Sequence, residues 1–128
     1  MRTVVVTGSA SGLGAAVRRR LEADRVHVIG VDLVDAEIEA DLSMPSGRSQ
    51  AMNRVLERTS GSLDGLVVCA GLGPTTQDCA RIVAVNYFGA IHVLDGLRPA
   101  LAAGNDPAAV ARIVERVTQG GTFGTAAM

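Results

Sequence analysis

The sequence predicts an α/β protein built on a doubly wound parallel sheet. Short, β-branched, continuously apolar runs alternate with stretches of helical periodicity, the pattern of strands buried on both faces and joined by crossover helices. A glycine-rich turn links the first such run to the first helix. Hydrophobic content is 48% but aromatic content only 2%, so the core is built from Val, Ile, Leu and Ala.

The elements follow in order. Thr3-Val4-Val5-Val6 reads as a buried strand, and Leu13 to Leu21 as the helix after the glycine turn. Val26 to Val31 is a second buried strand, and Glu37 to Leu42 adds a short third one. Ser46 to Thr59 is helical, with Met52, Val55 and Leu56 on one face. Leu66 to Ala70 is the fourth strand, closed by Gly71 and the Gly73-Pro74 loop. Cys79 to Leu101 reads as one long helix, apolar on most sides, which implies burial against the sheet and a further partner. Asn105 to Gln119 is a last helix: Asp106 suits its cap, Pro107 its first turn, and Val110, Ile113, Val114 and Val117 repeat at helical spacing. Right-handed crossovers join the strands of such a sheet.

Several function classes are disfavoured. A length of 128 residues fits one domain, and a net charge of −1 offers no broad footprint for nucleic acid or anionic membranes. Arg18-Arg19-Arg20 is the only basic cluster and reads as a solvated helix face. Cys69 and Cys79 lack metal-ligand spacing, as do His27 and His92, so no metal site is expected. Two free thiols fit a reducing compartment. The first residues carry too short an apolar stretch for a signal peptide, and no run of about 18 apolar residues is present for a membrane span. A cytoplasmic protein is expected.

The sharpest motif is Thr7-Gly8-Ser9-Ala10-Ser11-Gly12-Leu13-Gly14, set between strand and helix. Gly8 permits a tight turn, Gly12 lets backbone approach a pyrophosphate, and Gly14 allows helix and strand to pack closely. The helix N-terminus adds unpaired N–H groups and a positive dipole end. Asp32, ending the second strand, can accept hydrogen bonds from both ribose hydroxyls and would repel a 2′-phosphate. Ser9, Ala10, Ser11 and Leu33 offer such a phosphate no cation, so NAD(H) is favoured over NADP(H). A plain glycine-rich turn beside a solvated carboxylate is the bland alternative, and the strand–turn–helix context weighs against it.

These residues resemble the short-chain dehydrogenase/reductase family, whose glycine motif is Thr-Gly-x-x-x-Gly-x-Gly. Asp41-Leu42 resembles the family's adenine-pocket pair, and Cys69-Ala70-Gly71 its Asn-Ala-Gly element. Val85-Asn86-Tyr87-Phe88-Gly89 resembles the long-helix motif, which implies a catalytic-tetrad role for Asn86. Residues 64–74 look closest to the 3α-hydroxysteroid dehydrogenase/carbonyl reductase branch. The resemblance implies a partial Rossmann-type fold with its strands in the order third, second, first, fourth, the binding of NAD(H), and a parent activity on alcohols or ketones. It divides the chain into an NAD-binding half, 1–104, and a remnant of the catalytic half, 105–128. Its cofactor residues are Gly8, Ser11, Gly12, Leu13 and Gly14 in the glycine turn, Asp32 and Leu33, Asp41 and Leu42, and Cys69, Ala70 and Gly71.

The resemblance breaks where the family's chemistry lies. That chemistry uses a Ser on the fifth strand and a Tyr-x-x-x-Lys on the next helix, the lysine lowering a tyrosine pKa of ~10 toward the working pH. All 12 basic residues here are arginines, and the one tyrosine, Tyr87, sits beside Asn86. Asp106 to Val110 resembles the entry into the fifth strand, whereas Ala111 to Glu115 resembles a much later segment, as an internal deletion would produce. In that register Thr125, within the closing QGGTFGTAAM, stands near the tyrosine position. Loss of one such acid–base group costs ~10²–10⁴ in rate, so impaired catalysis is expected. Two alternatives stand beside the impaired oxidoreductase: a module pairing with itself or a full-length homologue through the 79–101 helix, and a prematurely ended reading frame.

Overall fold

The computed structural model describes residues 1–73 and 76–104. The expected helix over Asn105 to Gln119, the proposed deletion and the Thr125 position lie outside the described residues. Four strands form one parallel sheet: β1 (Thr3–Thr7), β2 (His27–Asp32), β3 (Ile38–Glu39) and β4 (Gly65–Val68), in the order β3-β2-β1-β4. The expected order is therefore observed. Helix α1 (Gly12–Ala23) links β1 to β2, and α2 (Pro45–Thr59) links β3 to β4. A continuous helical stretch follows, made of α3 (Cys79–Val83), a π-helical segment Ala84–Gly89, and α4 (Ala90–Ala102).

Alternation along the strands builds two cores. Val4, Val6, Val28 and Val67 point to one face and pack with Val17 and Leu21 of α1. Val5, Ile29, Val31 and Leu66 point to the other, where they meet Ala51 and Val55 of α2 and Val93 and Leu97 of α4. Each fully buried Val or Leu contributes roughly 1.5–3 kcal/mol, so an aliphatic core suffices without aromatics. In register, Val5 faces Ile29 on one side and Leu66 on the other.

Three expectations need correction. The third strand shrinks to Ile38–Glu39, paired with Val31 and Asp32; after Ala40, whose N–H still donates to Asp32 O at 2.9 Å, the chain enters a turn in which Met44 N–H donates to Asp41 O at 3.2 Å. The long helix is not regular: at Ala84, its first π-helical residue, the carbonyl accepts from the Arg48 guanidinium at 2.9 Å. A side chain taking a helical carbonyl favours the wider turn. Val83, Phe88 and Ile91 of this stretch are exposed, apolar surface that the sheet does not cover. Arg18, finally, is no freely solvated side chain. It forms ion pairs with Glu22 and Glu37.

Candidate functional site

The carboxyl ends of β1, β2 and β4 open onto one cleft of about 240 Å³. It lies where the sheet's winding reverses, between β1 and β4, the place at which open α/β sheets bind ligands. The turn after β1 forms its floor. Gly8 has φ +69, and a Cβ there would stand 2.8 Å from the Ala70 backbone. Only glycine allows β1 and β4 to end this close together. A Cβ on Gly14 would lie 1.9 Å from the Gly8 carbonyl oxygen, so α1 starts in contact with the turn it leaves.

Thr7 fastens the floor. Its fully buried hydroxyl accepts from the backbone N–H groups of Cys69 and Ala70, both at 3.2 Å, and Gly8 N–H donates to Val31 O at 2.8 Å. The tips of three strands are thus joined behind the cleft. Helix α1 enters with Ser11 extended at its cap position and making no side-chain cap. The first-turn N–H groups therefore remain available to an anion. Gly12, facing open space, leaves room for one.

Asp32 stands at the side of the cleft. Oδ2 accepts from Ala10 N at 2.9 Å and Oδ1 from Leu33 N at 2.7 Å. Each oxygen keeps a further lone pair for a ligand hydroxyl. At the far end Asp41 Oδ1 accepts from Ser43 N at 2.9 Å and Ser43 Oγ at 2.6 Å. Those bonds, with Arg81 and Arg48 nearby, hold the Asp41 carboxyl below the usual carboxylate range. Arg48 is buried, its guanidinium donating to the carbonyls of Leu42, Ser43 and Ala84 and tying this corner to the π-helical segment.

Every residue singled out above for the cofactor lines this one cleft: the turn positions Gly8, Ser11, Gly12, Leu13 and Gly14, then Asp32 and Leu33, Asp41 and Leu42, and Cys69, Ala70 and Gly71. Burial raises the Cys69 thiol above its ordinary pKa, so it stays protonated as a wall residue. Asn86 stands apart from the lining. Its Oδ1 accepts from Leu72 N at 2.7 Å while Nδ2 donates to Leu72 O at 3.0 Å, which pins the loop after β4.

Sequence reasoning missed three contributors. Thr7 opens the glycine motif, and a hydroxyl before a tight glycine turn is a signal for backbone bonding. Arg48 carries no local signal, because its partners are backbone carbonyls, which any residue type offers, and one of them, Ala84 O, is 36 residues away. Arg81 lines the cleft mouth with Nη2 3.9 Å from Asp41 Oδ2, and is the one cation among the described lining residues. Among the described residues no cluster of three metal-ligating side chains occurs, and no helix is long and apolar enough to cross a membrane.

Comparison with known proteins places this geometry. The sequence profile of the short chain dehydrogenases matches residues 2–126. A 3-alpha-hydroxysteroid dehydrogenase/carbonyl reductase of Comamonas testosteroni is 50% identical over 110 residues, which are 86% of this chain and 43% of the relative. A coniferyl-alcohol dehydrogenase of a Pseudomonas strain is 39% identical over 94 residues, 69% of this chain and 35% of that protein. Among solved structures, the 3-alpha-hydroxysteroid dehydrogenase from Pseudomonas sp. B-0831, complexed with NADH, matches with a TM-score of 0.80 at 51% identity, covering 82% of this chain and 41% of that one. The chain spans less than half the length of these relatives.

Proposed function

The chain belongs to the short chain dehydrogenase family, and from that premise we propose that residues 1–104 are an NAD(H)-binding half-site. The observation that carries this reading is the convergence of the glycine turn, Asp32, Asp41 and the β4 tip on one cleft. In this reading the uncapped start of α1 and Gly12 take the pyrophosphate. Asp32 and Leu33 take the adenosine ribose, and Asp41 and Leu42 border the adenine. Cys69, Ala70 and Gly71 wall the cleft. Asn86 acts through Leu72, holding the loop that continues the wall.

The bound nicotinamide would supply or accept a hydride. The hydroxysteroid relatives favour an alcohol or ketone, hydroxysteroids included, as the substrate class of the parent enzyme. Proton transfer is another matter. No lysine and no tyrosine besides Tyr87 occurs in these 128 residues, so these residues by themselves supply no Tyr-x-x-x-Lys pair for the proton. Two unpaired cysteines fit a cytoplasmic setting. Titration with NADH, followed by its fluorescence, tests the proposal: saturable enhancement supports it, and no saturable change up to millimolar NADH rejects it.

A second reading is an interaction module. It draws support from the exposed Phe88, packed edge-on against Tyr87 at 5.1 Å, and from exposed Val83 and Ile91 on the same helical stretch. Its partner would be a second copy or a full-length family member, and sedimentation velocity tests it.

A further inference from the structure

Behind the glycine turn, on the side away from the cleft, lies a junction that no motif absorbed. The Glu37 carboxylate receives both terminal nitrogens of Arg18, Nη1 at 2.7 Å and Nη2 closer still, in a two-pronged pairing. Its Oε2 also accepts the Gly30 N–H at 3.0 Å. Arg18 belongs to α1, Gly30 to β2, and Glu37 to the end of the turn that leaves β2 at Asp32. One carboxylate therefore joins the helix that begins at the glycine turn, the strand that ends in Asp32, and the chain segment between Asp32 and β3.

The segment needs such an anchor. Residues 33–37 return to a strand of only two residues, whose pairing is Val31 with Ile38 and Asp32 with Glu39. So short a ladder fixes little by itself. Leu33 and Val34 at its crest are exposed. Gly30 leaves the space in which the junction forms: a Cβ there would stand 2.3 Å from Ser9 Oγ, 2.7 Å from Arg18 Nη1 and 2.9 Å from Glu37 Oε2. The space beside Gly30 thus borders Ser9 of the turn as well as the ion pair, while Ala10 next to Ser9 bonds Asp32.

We propose that Arg18 and Glu37 are positioning residues for cofactor discrimination: their pairing holds the Asp32–Leu33 turn against the ribose and keeps the Arg18 charge neutralised. The proposal rests on the NAD(H) reading above. With the pair broken, the Asp32–Leu33 turn can give way before a 2′-phosphate, so discrimination against NADPH falls as well as affinity for NADH.

The test compares NADH and NADPH dissociation constants by fluorescence titration for the wild-type chain, Glu37→Gln and Glu37→Asp, each below its own melting temperature. Wild type should prefer NADH. Glu37→Gln should lower that preference by about tenfold, the size of one charge-assisted hydrogen bond. Glu37→Asp keeps the charge but is too short to reach both Gly30 and Arg18, and should lower it by about threefold. A purely structural role would lower the melting temperature and leave the ratio unchanged. If either folded variant keeps the wild-type ratio within about twofold, the inference is overturned while the NAD(H) reading stands. A wild-type chain that binds neither nucleotide overturns both.

Discussion

Asp32 reaches back from the end of β2 to accept the Ala10 N–H at 2.9 Å, so the carboxylate proposed to take the ribose also braces the glycine turn. Asp32→Ala removes both functions. NADH affinity should fall by roughly 10- to 100-fold, the range for losing hydrogen bonds to a charged group. The preference over NADPH should shrink at the same time. Parallel titrations with the two nucleotides check this, and unchanged affinity for both would refute the ribose role.

At Gly14 the constraint is steric. With only 1.9 Å between a new Cβ and the Gly8 carbonyl oxygen, two backbone segments must part to admit Gly14→Ala. A cost of about 3 kcal/mol or more is expected, at the upper end of overpacking effects. Urea denaturation should show the midpoint falling sharply.

Asn86→Ala strips the backbone of Leu72 of its donor and its acceptor together. Two lost hydrogen bonds in a half-buried site should destabilise by about 1–3 kcal/mol. The local signature is sharper than the global one: hydrogen exchange at the Leu72 amide should accelerate well beyond that at the β1 amides. Equal acceleration everywhere would mean that Asn86 holds no particular loop.

The Arg18–Glu37 pair also fixes a pH dependence. The guanidinium lowers the Glu37 carboxyl from 4.5 to about 2. A depressed carboxylate stabilises the fold fully above its unfolded value, and that contribution drains as pH falls from about 4.5 through about 2. With 26% and 30% exposure of the two side chains, solvent screening limits it to on the order of 1–2 kcal/mol. Denaturation curves for wild type and Glu37→Gln should therefore converge as pH drops across that window. A constant gap would reject the assignment.

Phe88→Arg tests the interaction reading. If that exposed ring sits in an interface, the charge should shift sedimentation from concentration-dependent association to a single slow species, since burying an unpaired guanidinium is costly. Identical profiles for wild type and variant would remove the patch from consideration.

Legibility differed by the kind of signal. The runs around Val5, Ile29 and Leu66 announce buried strands because both neighbouring faces demand apolar side chains, and the strand order is what the family resemblance implies. The cleft residues were legible because they cluster in short motifs at strand ends. What stayed hidden depends on side chains meeting across the chain. Nothing near Arg48 names the carbonyls of Leu42 and Ala84 as its partners, and nothing near Arg18 names Glu37. The widened helical turn at Ala84–Gly89 escaped for a related reason, since apolar periodicity cannot register one extra residue in a turn.

The buried Thr7 hydroxyl has a kinetic consequence. It accepts from Cys69 and Ala70, and Gly8 donates to Val31, so the cleft floor is held by the chain's own hydrogen bonds. A nucleotide arriving there meets a surface with little left to rearrange. Capture should proceed in one step, with an observed rate rising linearly with nucleotide concentration rather than levelling at the speed of a prior conformational change. Thr7→Val, which keeps the shape and removes the acceptor, is the substitution that would turn that straight line into a curve.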